Sequence, residues 1–490
     1  MACVNIFSIL LLFLAALAVL ADKASQRDWE NHKNSVLSGD LQGSYCGRRP
    51  DGCCPGRVDD CVVPILDTRC YCDMFCNETS LDCCPDFWSF CLGIAPPTLI
   101  NSCEHDGLVY PPGHKRKDNC NECICLKSQY KPSEYEWRCT KDVCVVRPDL
   151  MRAINDGRNG WKASNYSMFW GKKLEEGKRC RLGTMPPENQ VVRMNAMDVP
   201  MEGGYLPETF DARQKWNGLI HGVSDQGDCA ASWAFSTTAV ASDRLAIESG
   251  GIIKDGLSPQ HLVSCNTAGG QAGCDGGYLD RAWWYLRKRG IVSEDCYPYK
   301  NGVNNSVKTC ELTEHHTHFV CPNGAGTNGK KMFRSTPPYR IAPDEHQIMK
   351  EIIVNGPVQA TFKVKDDFFM YETGVYRYLH MEEDHMPNND THGYHSVRIL
   401  GWGVERGAHG DGVKYWLCAN SWGPQWGDAG YFRIVRGENE CQIESFVIGV
   451  WGRAPGDVTV RRMINRKKRQ HLRYRLDRLR QKRDQLRFTE

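Results

Sequence analysis

The sequence predicts an α+β protein in which a two-lobed domain, one lobe helical and the other β-barrel-like, follows small disulfide-rich modules. Two observations support this prediction. Sixteen of the 26 cysteines fall between Cys46 and Cys144, and modules this short cannot bury an adequate apolar core without cross-links. From Leu206 onward the chain becomes rich in glycine and aromatic residues, with helical and strand patterns of ordinary length.

The chain begins with a predicted secretion signal, residues 1–21. Its apolar run from Ile6 to Ala21 is too short for a comfortable membrane span and has the length of a signal-peptide core. The many cysteines fit an oxidising compartment, and no later stretch is apolar enough to cross a bilayer. After export, four N-x-S/T sequons would be candidate glycosylation sites: Asn77, Asn165, Asn304 and Asn389.

Residues 45–93 hold ten cysteines and form the first predicted module. The adjacent pairs Cys53-Cys54 and Cys83-Cys84 argue against a zinc ribbon, which uses C-x-x-C pairs. With C-C-P-G-R at its front and D-C-C-x-D at its back, the run resembles a somatomedin B domain. That resemblance implies an adhesion or protein-binding module, and a simple disulfide-linked spacer is the alternative.

Residues 101–145 form the second predicted module, with six cysteines that include Cys120-x-x-Cys123-x-Cys125. The pattern is similar to the front half of a von Willebrand factor type C module. Zinc binding is the weaker alternative, because six cysteines can pair completely. Residues 146–203 follow with one cysteine, Cys180, and the aromatic stretch GWKASNYSMFWG.

Residues 204–453 form the predicted two-lobed domain. The segments DRLAIESG and LDRAWWYLRKRG are predicted helices, because apolar residues recur at spacings of three and four and a glycine ends each segment. The segments FVIGVWG and KYWLCANSW are typical of short strands.

Four separated motifs in this domain carry the functional argument. Thiol-protease chemistry needs a nucleophile at a helix N-terminus, an imidazole, a group that orients the imidazole and an oxyanion donor. The segment QGDCAASWAF resembles the papain-family nucleophile segment, with Gln226 at the oxyanion-donor position and Ser232 at the nucleophile position. His395 in HGYHSVRILGWG and Asn420 in ANSWGPQWGDAGYF match the imidazole and orienting positions. Cys274-Asp275-Gly276-Gly277-Tyr278 matches the family's substrate-pairing segment.

The departure from the papain pattern is Ser232, where the family has cysteine. A helix end and a neighbouring imidazolium can lower a thiol pKa from about 8.5 to roughly 3.5–7.5. An alcohol starts many units higher, so the same surroundings cannot ionise it. We therefore expect an inactive site, Gln226, Ser232, His395 and Asn420, and no cofactor or metal. A working or weakly active Ser232–His395 peptidase is the first alternative, and a ligand carrier or inhibitor that uses the vacant cleft is the second.

Within the papain family the domain is most similar to cathepsin B. Tyr394 stands where such enzymes have glycine, which predicts an aromatic ring close to the cleft. Phe446 stands where cathepsin B has an acidic pocket residue, which predicts loss of a preference for basic substrates. His315, His316 and His318 lie in a stretch similar to the occluding loop, but no role is transferred to them because the alignment slips.

The resemblance also implies a disulfide between Cys229 and Cys274. Cys265, Cys296, Cys310 and Cys321 allow three pairings, of which we favour Cys265–Cys296 with Cys310–Cys321. Cys418 and Cys441 are expected to be free thiols, with a bond between them as the alternative.

The whole layout resembles the tubulointerstitial nephritis antigen family. That resemblance implies a secreted glycoprotein of the basement membrane, with laminin, collagen IV and integrins as partners and with no catalytic activity. In that family the propeptide-like segment, here residues 146–203, stays attached. We therefore expect residues 155–184 to lie against or across the cleft.

Residues 454–490 form a basic tail. From Arg461 to Glu490 there are 13 Lys/Arg against 3 Asp/Glu, although the whole chain is nearly neutral at +2. Sulfated glycosaminoglycan is the expected extracellular polyanion, and a solvated tail or a convertase cleavage site are the alternatives. Nucleic acid would need the same charge but conflicts with export. The predicted polyanion-binding residues are Arg461, Arg462, Arg466, Lys467, Lys468 and Arg469.

Overall fold

The computed structural model describes residues 44–453 apart from 66–67, 77–82, 95–101, 106–107, 132–133, 158, 193–195, 198–204, 301–308, 316–317, 323–331, 380–392, 407–411 and 451. The predicted signal, the basic tail and the sequons at Asn77, Asn304 and Asn389 lie outside the described residues. The chain divides into two compact units, Met1–Asp142 and Val143–Glu490. Among the described residues, no helix has the length and apolar character that a membrane span requires.

In the first unit, the ten-cysteine stretch folds around its disulfides. An antiparallel hairpin, β1 (Val62–Ile65) and β2 (Thr68–Tyr71), is followed by the short helix α1 (Phe87–Cys91). Phe87 is completely buried among the half-cystines. The described disulfides are Cys46–Cys72, Cys53–Cys91, Cys54–Cys61 and Cys70–Cys84.

In the described residues of the second part of this unit, the regular elements are all strands. A hairpin precedes a three-stranded antiparallel sheet, and the strands are β3 (Cys103–His105), β4 (Leu108–Tyr110), β5 (Lys115–Asp118), β6 (Asn121–Lys127) and β7 (Tyr135–Cys139). Disulfides join Cys103 to Cys125 and Cys123 to Cys139, and Cys120 is also disulfide-bonded. The C-x-x-C-x-C run therefore has no thiolate left for zinc, and the zinc alternative is wrong.

The second unit begins with a segment that we call the strap, residues 143–185. It contains α2 (Pro148–Asp156), β8 (Trp161–Ala163) and α3 (Leu174–Arg181). Pro148 begins α2, where the missing N–H of proline is tolerated. Apolar strap residues are buried in the same core cluster as residues of the sheet that follows, and they include Val145, Leu150, Ile154, Trp161, Phe169 and Leu182. The strap is therefore part of the folded unit.

The helical lobe follows the short helix α4 (Asn189–Val192) and strand β9 (Phe210–Asp211). Its helices are α5 (Ala212–Lys215), α6 (Ser232–Glu248), α7 (Pro259–Cys265) and α8 (Leu279–Lys288). Both predicted helices are confirmed, the first as the end of α6. Buried hydroxyls of α6 bond carbonyls four residues earlier, as Thr237 does to Trp233, which satisfies polar groups inside the core.

The second lobe is a nine-stranded mixed sheet with the order β13-β19-β14-β16-β17-β18-β15-β8, in which β9 also pairs with β16. Its central strand, β16, is almost entirely buried. The predicted strands near residues 414 and 446 are confirmed as β17 and β19. The sheet strands not yet given are β13 (Tyr339–Ile341), β14 (Val358–Lys363), β15 (Tyr371–Tyr376), β16 (Tyr394–Arg406), β17 (Gly412–Ala419), β18 (Tyr431–Val435) and β19 (Val447–Gly449).

Short elements complete the fold. Helix α9 (Glu345–Asn355) packs on the sheet, and its N-cap Asp344 accepts a hydrogen bond from the N–H of Gln347. The remaining strands are β10 (Thr313–His315), β11 (His318–Val320), β12 (Arg334–Ser335) and β20 (Gly452–Arg453).

The cysteines of this unit correct one prediction. Cys229 and Cys274 are bonded as expected, but the other bonds are Cys265–Cys310 and Cys296–Cys321. The favoured pairing is therefore wrong. Three of the four cysteines, Cys265, Cys296 and Cys321, belong to one packed cluster, and a disulfide needs Cα atoms about 4.4–6.8 Å apart. Closeness along the chain does not select between neighbours in such a cluster. Cys418 and Cys441 are unbonded, Cys418 being fully buried and Cys441 only partly.

Candidate functional site: a cleft filled by the strap

Ser232 is the first residue of α6, and its side chain is completely buried. The Cys229–Cys274 disulfide fixes the loop before it, and the N–H of Ala230 donates to the carbonyl of Cys274 at 3.0 Å. The unpaired N–H groups and the dipole of a helix N-terminus favour negative charge. Ser232 therefore occupies the helix-end position that the sequence predicts for a nucleophile.

His395 and Asn420 lie beside this position. His395, on β16, is fully buried, and its Nε2 is 2.7 Å from Oδ1 of Asn420, just after β17. Burial lowers the pKa of His395 to about 4, and the hydrogen bond to Asn420 offsets part of that shift. The imidazole is thus neutral at pH 7. Because Nε2 donates to the amide oxygen, Nδ1 carries a lone pair, yet this buried atom has no hydrogen-bond partner among the described residues.

The Ser232 hydroxyl is bound elsewhere. Its oxygen is 2.8 Å from Oγ1 of Thr184, a residue of the strap. Thr184 donates to Oγ of Ser396 at 2.7 Å, and that oxygen is 2.8 Å from Oγ of Ser236. Ser236 in turn donates to the backbone carbonyl of Ser232 at 2.7 Å. We call these four side chains the hydroxyl ring.

The number of hydroxyl protons determines which side chain donates in each hydrogen bond of this ring. Each hydroxyl has one proton, and those of Thr184 and Ser236 are already assigned to Ser396 and to the carbonyl of Ser232. The proton of Ser232 is therefore donated to Thr184, and that of Ser396 to Ser236. All four hydroxyls are buried and satisfied. In this arrangement His395 does not accept the proton of Ser232.

Gln226 also forms a hydrogen bond with the strap. Its Oε1 accepts from Oγ of Ser421 at 2.6 Å, and its Nε2 donates to the carbonyls of Arg181 at 3.0 Å and Cys229 at 2.8 Å. In an oxyanion hole this amide N–H must be free to bind a developing negative charge. Here it binds a backbone carbonyl of the strap.

The strap backbone pairs with the remaining wall of the cleft. Gly277 donates to the carbonyl of Gly183 and accepts from Met185, both at 2.9 Å, while Thr184 donates to the carbonyl of Tyr394 at 3.2 Å. Gly183 has φ +101°, and a Cβ atom there would overlap the carbonyl of Ala230. Only glycine fits this close approach. The expectation that residues 155–184 lie across the cleft is confirmed.

Ion pairs hold the strap on the N-terminal side of this crossing. Arg181, which is 7% exposed, lies 3.1 Å from Asp225 and 3.3 Å from Asp228. Lys172 is 2.8 Å from Asp228, and Lys178 of α3 is 3.3 Å from Asp366. The basic residues belong to the strap and the acidic residues to the lobes. This charge complementarity fixes the register of the strap on the cleft.

The structure also places Tyr394 and Phe446, the two other residues that depart from the cathepsin B pattern. The Tyr394 hydroxyl donates a hydrogen bond to Oε1 of Gln442 at 3.2 Å. The backbone carbonyl of Tyr394 accepts a hydrogen bond from the N–H of Thr184. Phe446 is 4% exposed and packs in the apolar cluster of the helical lobe. The Phe446 position therefore carries no charge that could bind a basic substrate side chain.

Some predicted sites remain predictions. Asn165 is exposed, as a glycosylation acceptor must be. The basic tail and His316 lie outside the described residues. The sequence analysis did not identify Ser396 or Thr184. Ser396 follows His395 directly and could have been noticed there, whereas Thr184 offered no signal of its own.

Comparisons with known proteins agree with this geometry. A sequence profile described as "Papain family cysteine protease" matches residues 206–451. A crystallised procathepsin B of Trypanosoma congolense is 30% identical with a TM-score of 0.54, covering 64% of this chain and all of the other.

Similarity to two full-length relatives extends over most of the chain. Mouse tubulointerstitial nephritis antigen-like protein is 47% identical over 91% of this chain and 97% of its own. Human tubulointerstitial nephritis antigen is 44% identical over 84% of this chain and 88% of its own. The chain therefore belongs to the tubulointerstitial nephritis antigen family, whose members share a papain-family domain with the cathepsins.

Proposed function

We propose that this protein is a secreted, catalytically silent matrix glycoprotein whose cleft is permanently filled by its own strap. The observation that carries this proposal is the bond of the Ser232 hydroxyl to Thr184. A serine protease needs its hydroxyl proton to pass to the imidazole as the oxygen attacks. Here the proton is committed to the hydroxyl ring, and Nδ1 of His395 has no donor.

Three further features support the proposed lack of catalytic activity. An alcohol cannot be ionised by a helix end and a neutral imidazole as a thiol can. The amide of Gln226 already binds the strap carbonyl of Arg181. Gly277, the family's substrate-pairing position, has both its backbone groups bonded to the strap. A substrate would have to displace the strap before it met any catalytic group.

Displacement of the strap is costly because the strap is buried as well as bonded. Full burial of one Leu, Ile or Phe side chain contributes roughly 1.5–3 kcal/mol. Ile154 and Phe169 are fully buried, and Trp161 and Leu150 are at most 3% exposed. This burial, added to the ion pairs of Arg181, favours retention of the strap and argues against a ligand carrier with a vacant cleft.

Peptide hydrolysis by the purified mature chain tests catalytic silence. We expect no turnover of cathepsin-type peptide substrates above that of the Ser232→Ala variant, because neither nucleophile nor cleft is available. Hydrolysis that Ser232→Ala abolishes would select the rival Ser232–His395 peptidase, for which the intact His395–Asn420 bond is the favouring observation. A Ser232→Cys variant should also stay inactive while residues 181–185 fill the cleft.

The matrix role rests on the family and on the cysteine-rich unit. We infer that the modules of residues 45–145 provide adhesion surfaces and that laminin, collagen IV and integrins are the partner classes, with sulfated glycosaminoglycan bound by the basic tail. A pull-down from matrix extract, with and without residues 461–490, should recover matrix proteins with both chains and glycosaminoglycan mainly with the longer one. Failure of both chains to recover matrix components would refute this role.

A further inference from the structure

The outer surface of α8 presents a tryptophan that the fold does not use. The helix buries Leu279, Ala282, Trp283 and Leu286 against the helical lobe. Trp283 is completely buried, and its Nε1 donates to Gln359 at 2.6 Å. The next residue, Trp284, lies about 100° further round the helix and is 55% exposed. Exposed tryptophan is uncommon outside binding surfaces, because its apolar area is large.

Two basic side chains lie against this indole, and two more follow near the C-terminal end of α8. Nζ of Lys288 lies 4.7 Å and Cζ of Arg287 lies 5.6 Å from the centre of the Trp284 ring. Arg289 is exposed at the end of the helix, and exposed Arg334 of β12 packs its side-chain stem beside Gly290. We call Trp284, Arg287, Lys288, Arg289 and Arg334 the basic aromatic face.

The cations of this face are not neutralised. Within the part of the chain that the structure describes, none of the four forms an ion pair with an acidic side chain. Arg281, at the other end of the same helix, does pair with Glu188 at 2.5 Å. The only acidic residue of α8, Asp280, lies in its first turn, more than a helical turn from Arg287. Part of this charge complements the helix C-terminus, but Arg334 belongs to another element.

The face is continuous with the basic tail along the chain. Arg334 of β12 pairs with Arg453 of β20, the last described strand. Arg461, where the basic run begins, is eight positions after Arg453, with seven residues between them. An extended chain of that length spans at most about 28 Å. A long anionic polymer could therefore contact the face and the start of the tail together.

We propose that the basic aromatic face is a binding site for a sulfated polysaccharide. The apolar face of a sugar ring stacks on the Trp284 indole, and sulfate groups pair with Lys288 and the three arginines. Arginine binds such oxyanions through its planar fork of N–H donors, and charge-assisted bonds of this kind are the stronger class. The proposal deepens the matrix role proposed above and rests on it for the extracellular location of the ligand.

The test uses the full chain with the six candidate tail cations replaced by glutamine (R461Q, R462Q, R466Q, K467Q, K468Q and R469Q). Titration calorimetry with a heparin-derived hexasaccharide should still detect binding. Trp284→Ala and the double variant R287Q/K288Q should each weaken the Kd about tenfold or more. Arg281→Gln, a charge change on the same helix at a paired residue, should alter the Kd less than twofold. Equal melting temperatures would establish that the variants are folded.

Three results with the hexasaccharide would overturn the proposal. They are loss of binding once the six tail cations are replaced, no change on Trp284→Ala, or an equal loss on Arg281→Gln. Single-stranded DNA of equal charge that bound with the same dependence on Trp284 would also overturn it, since the face would then be a general polyanion site. Because the ligand is purified, a failed matrix pull-down would refute the matrix role without altering this result.

Discussion

The first unit and the strap both precede the two-lobed body, but they are stabilised in opposite ways. In residues 44–94 the buried side chains are mainly half-cystines around Phe87. The strap contains one disulfide-bonded cysteine, Cys144 near its start, and one free, buried thiol, Cys180 of α3. It is fixed by buried aromatic and aliphatic side chains, by the hydroxyl ring and by ion pairs to the lobes. The difference shows that one N-terminal region depends mainly on its disulfides, whereas the other depends mainly on packing and polar contacts with the lobes.

The largest expected effect is the unfolding of residues 44–94 when a reductant breaks their disulfides. Small cystine-rich modules commonly lose about 2–5 kcal/mol per disulfide and cease to fold. We expect residues 44–94 to lose hydrogen-exchange protection at thiol concentrations that leave residues 143–185 protected. Hydrogen-exchange mass spectrometry of the full chain measures both regions at once. Simultaneous loss of protection in both would contradict the comparison.

Next in size is truncation of the main apolar anchor of the strap. Trp161 is 3% exposed, stacks near Tyr371 and Tyr376, and donates to the carbonyl of Arg377 at 3.0 Å. Trp161→Ala should lower the free energy of unfolding of the second unit by about 3–5 kcal/mol, as measured by urea denaturation. Trp170→Ala is the matched control in the strap, because Trp170 is 47% exposed. Similar losses for the two variants would mean that burial does not hold the strap.

Acid should weaken the second unit through its buried histidines. Burial lowers the pKa of His395 and of His261 to about 4, whereas the unfolded value is about 6.5. Between these values the unfolded chain binds protons that the folded chain does not, so stability falls as pH drops from 6.5 towards 4. Each histidine contributes at most about 3 kcal/mol of this loss.

Melting temperatures across that pH range measure the acid effect. His261→Gln should remove about half of the contribution that the two histidines make to the slope between pH 6.5 and 4. Asp367, whose pKa burial raises to about 7, acts in the opposite direction, because its folded form stays protonated and is favoured at lower pH. A melting temperature independent of pH in the wild-type chain and in the Asp367→Asn variant would contradict the assignment.

A smaller effect is expected from breaking the hydroxyl ring. Thr184→Val keeps the shape of the side chain but leaves the buried Ser232 hydroxyl without a partner and removes one of the two hydrogen bonds of Ser396. An unsatisfied buried hydroxyl costs about 1–3 kcal/mol. Thr184→Ser retains the hydroxyl and should lose clearly less stability. The urea concentrations at which the two variants are half unfolded measure this difference. Equal midpoints would show that the hydroxyl ring does not contribute to stability.

The sequence predicted the site better than it predicted the connections within it. Gln226, Ser232, His395 and Asn420 could be assigned because each lies in a local motif whose residues fold together. Thr184 and Ser396 are 212 residues apart, and no local pattern relates them. The same limit explains the cysteine error, since Cys265 and Cys310 are 45 residues apart and meet only in the folded domain. Local motifs define what a residue can do, and long-range packing decides which partner it meets.

The central claim is that the Ser232 oxygen cannot act as a nucleophile because the strap holds its proton and covers it. Incubation of the native chain with an acylating peptide ester, followed by mass spectrometry of the peptide that contains Ser232, tests this most directly. We predict an unmodified peptide for the wild-type chain at neutral pH. An acyl adduct on Ser232 that forms with the strap intact would contradict the claim.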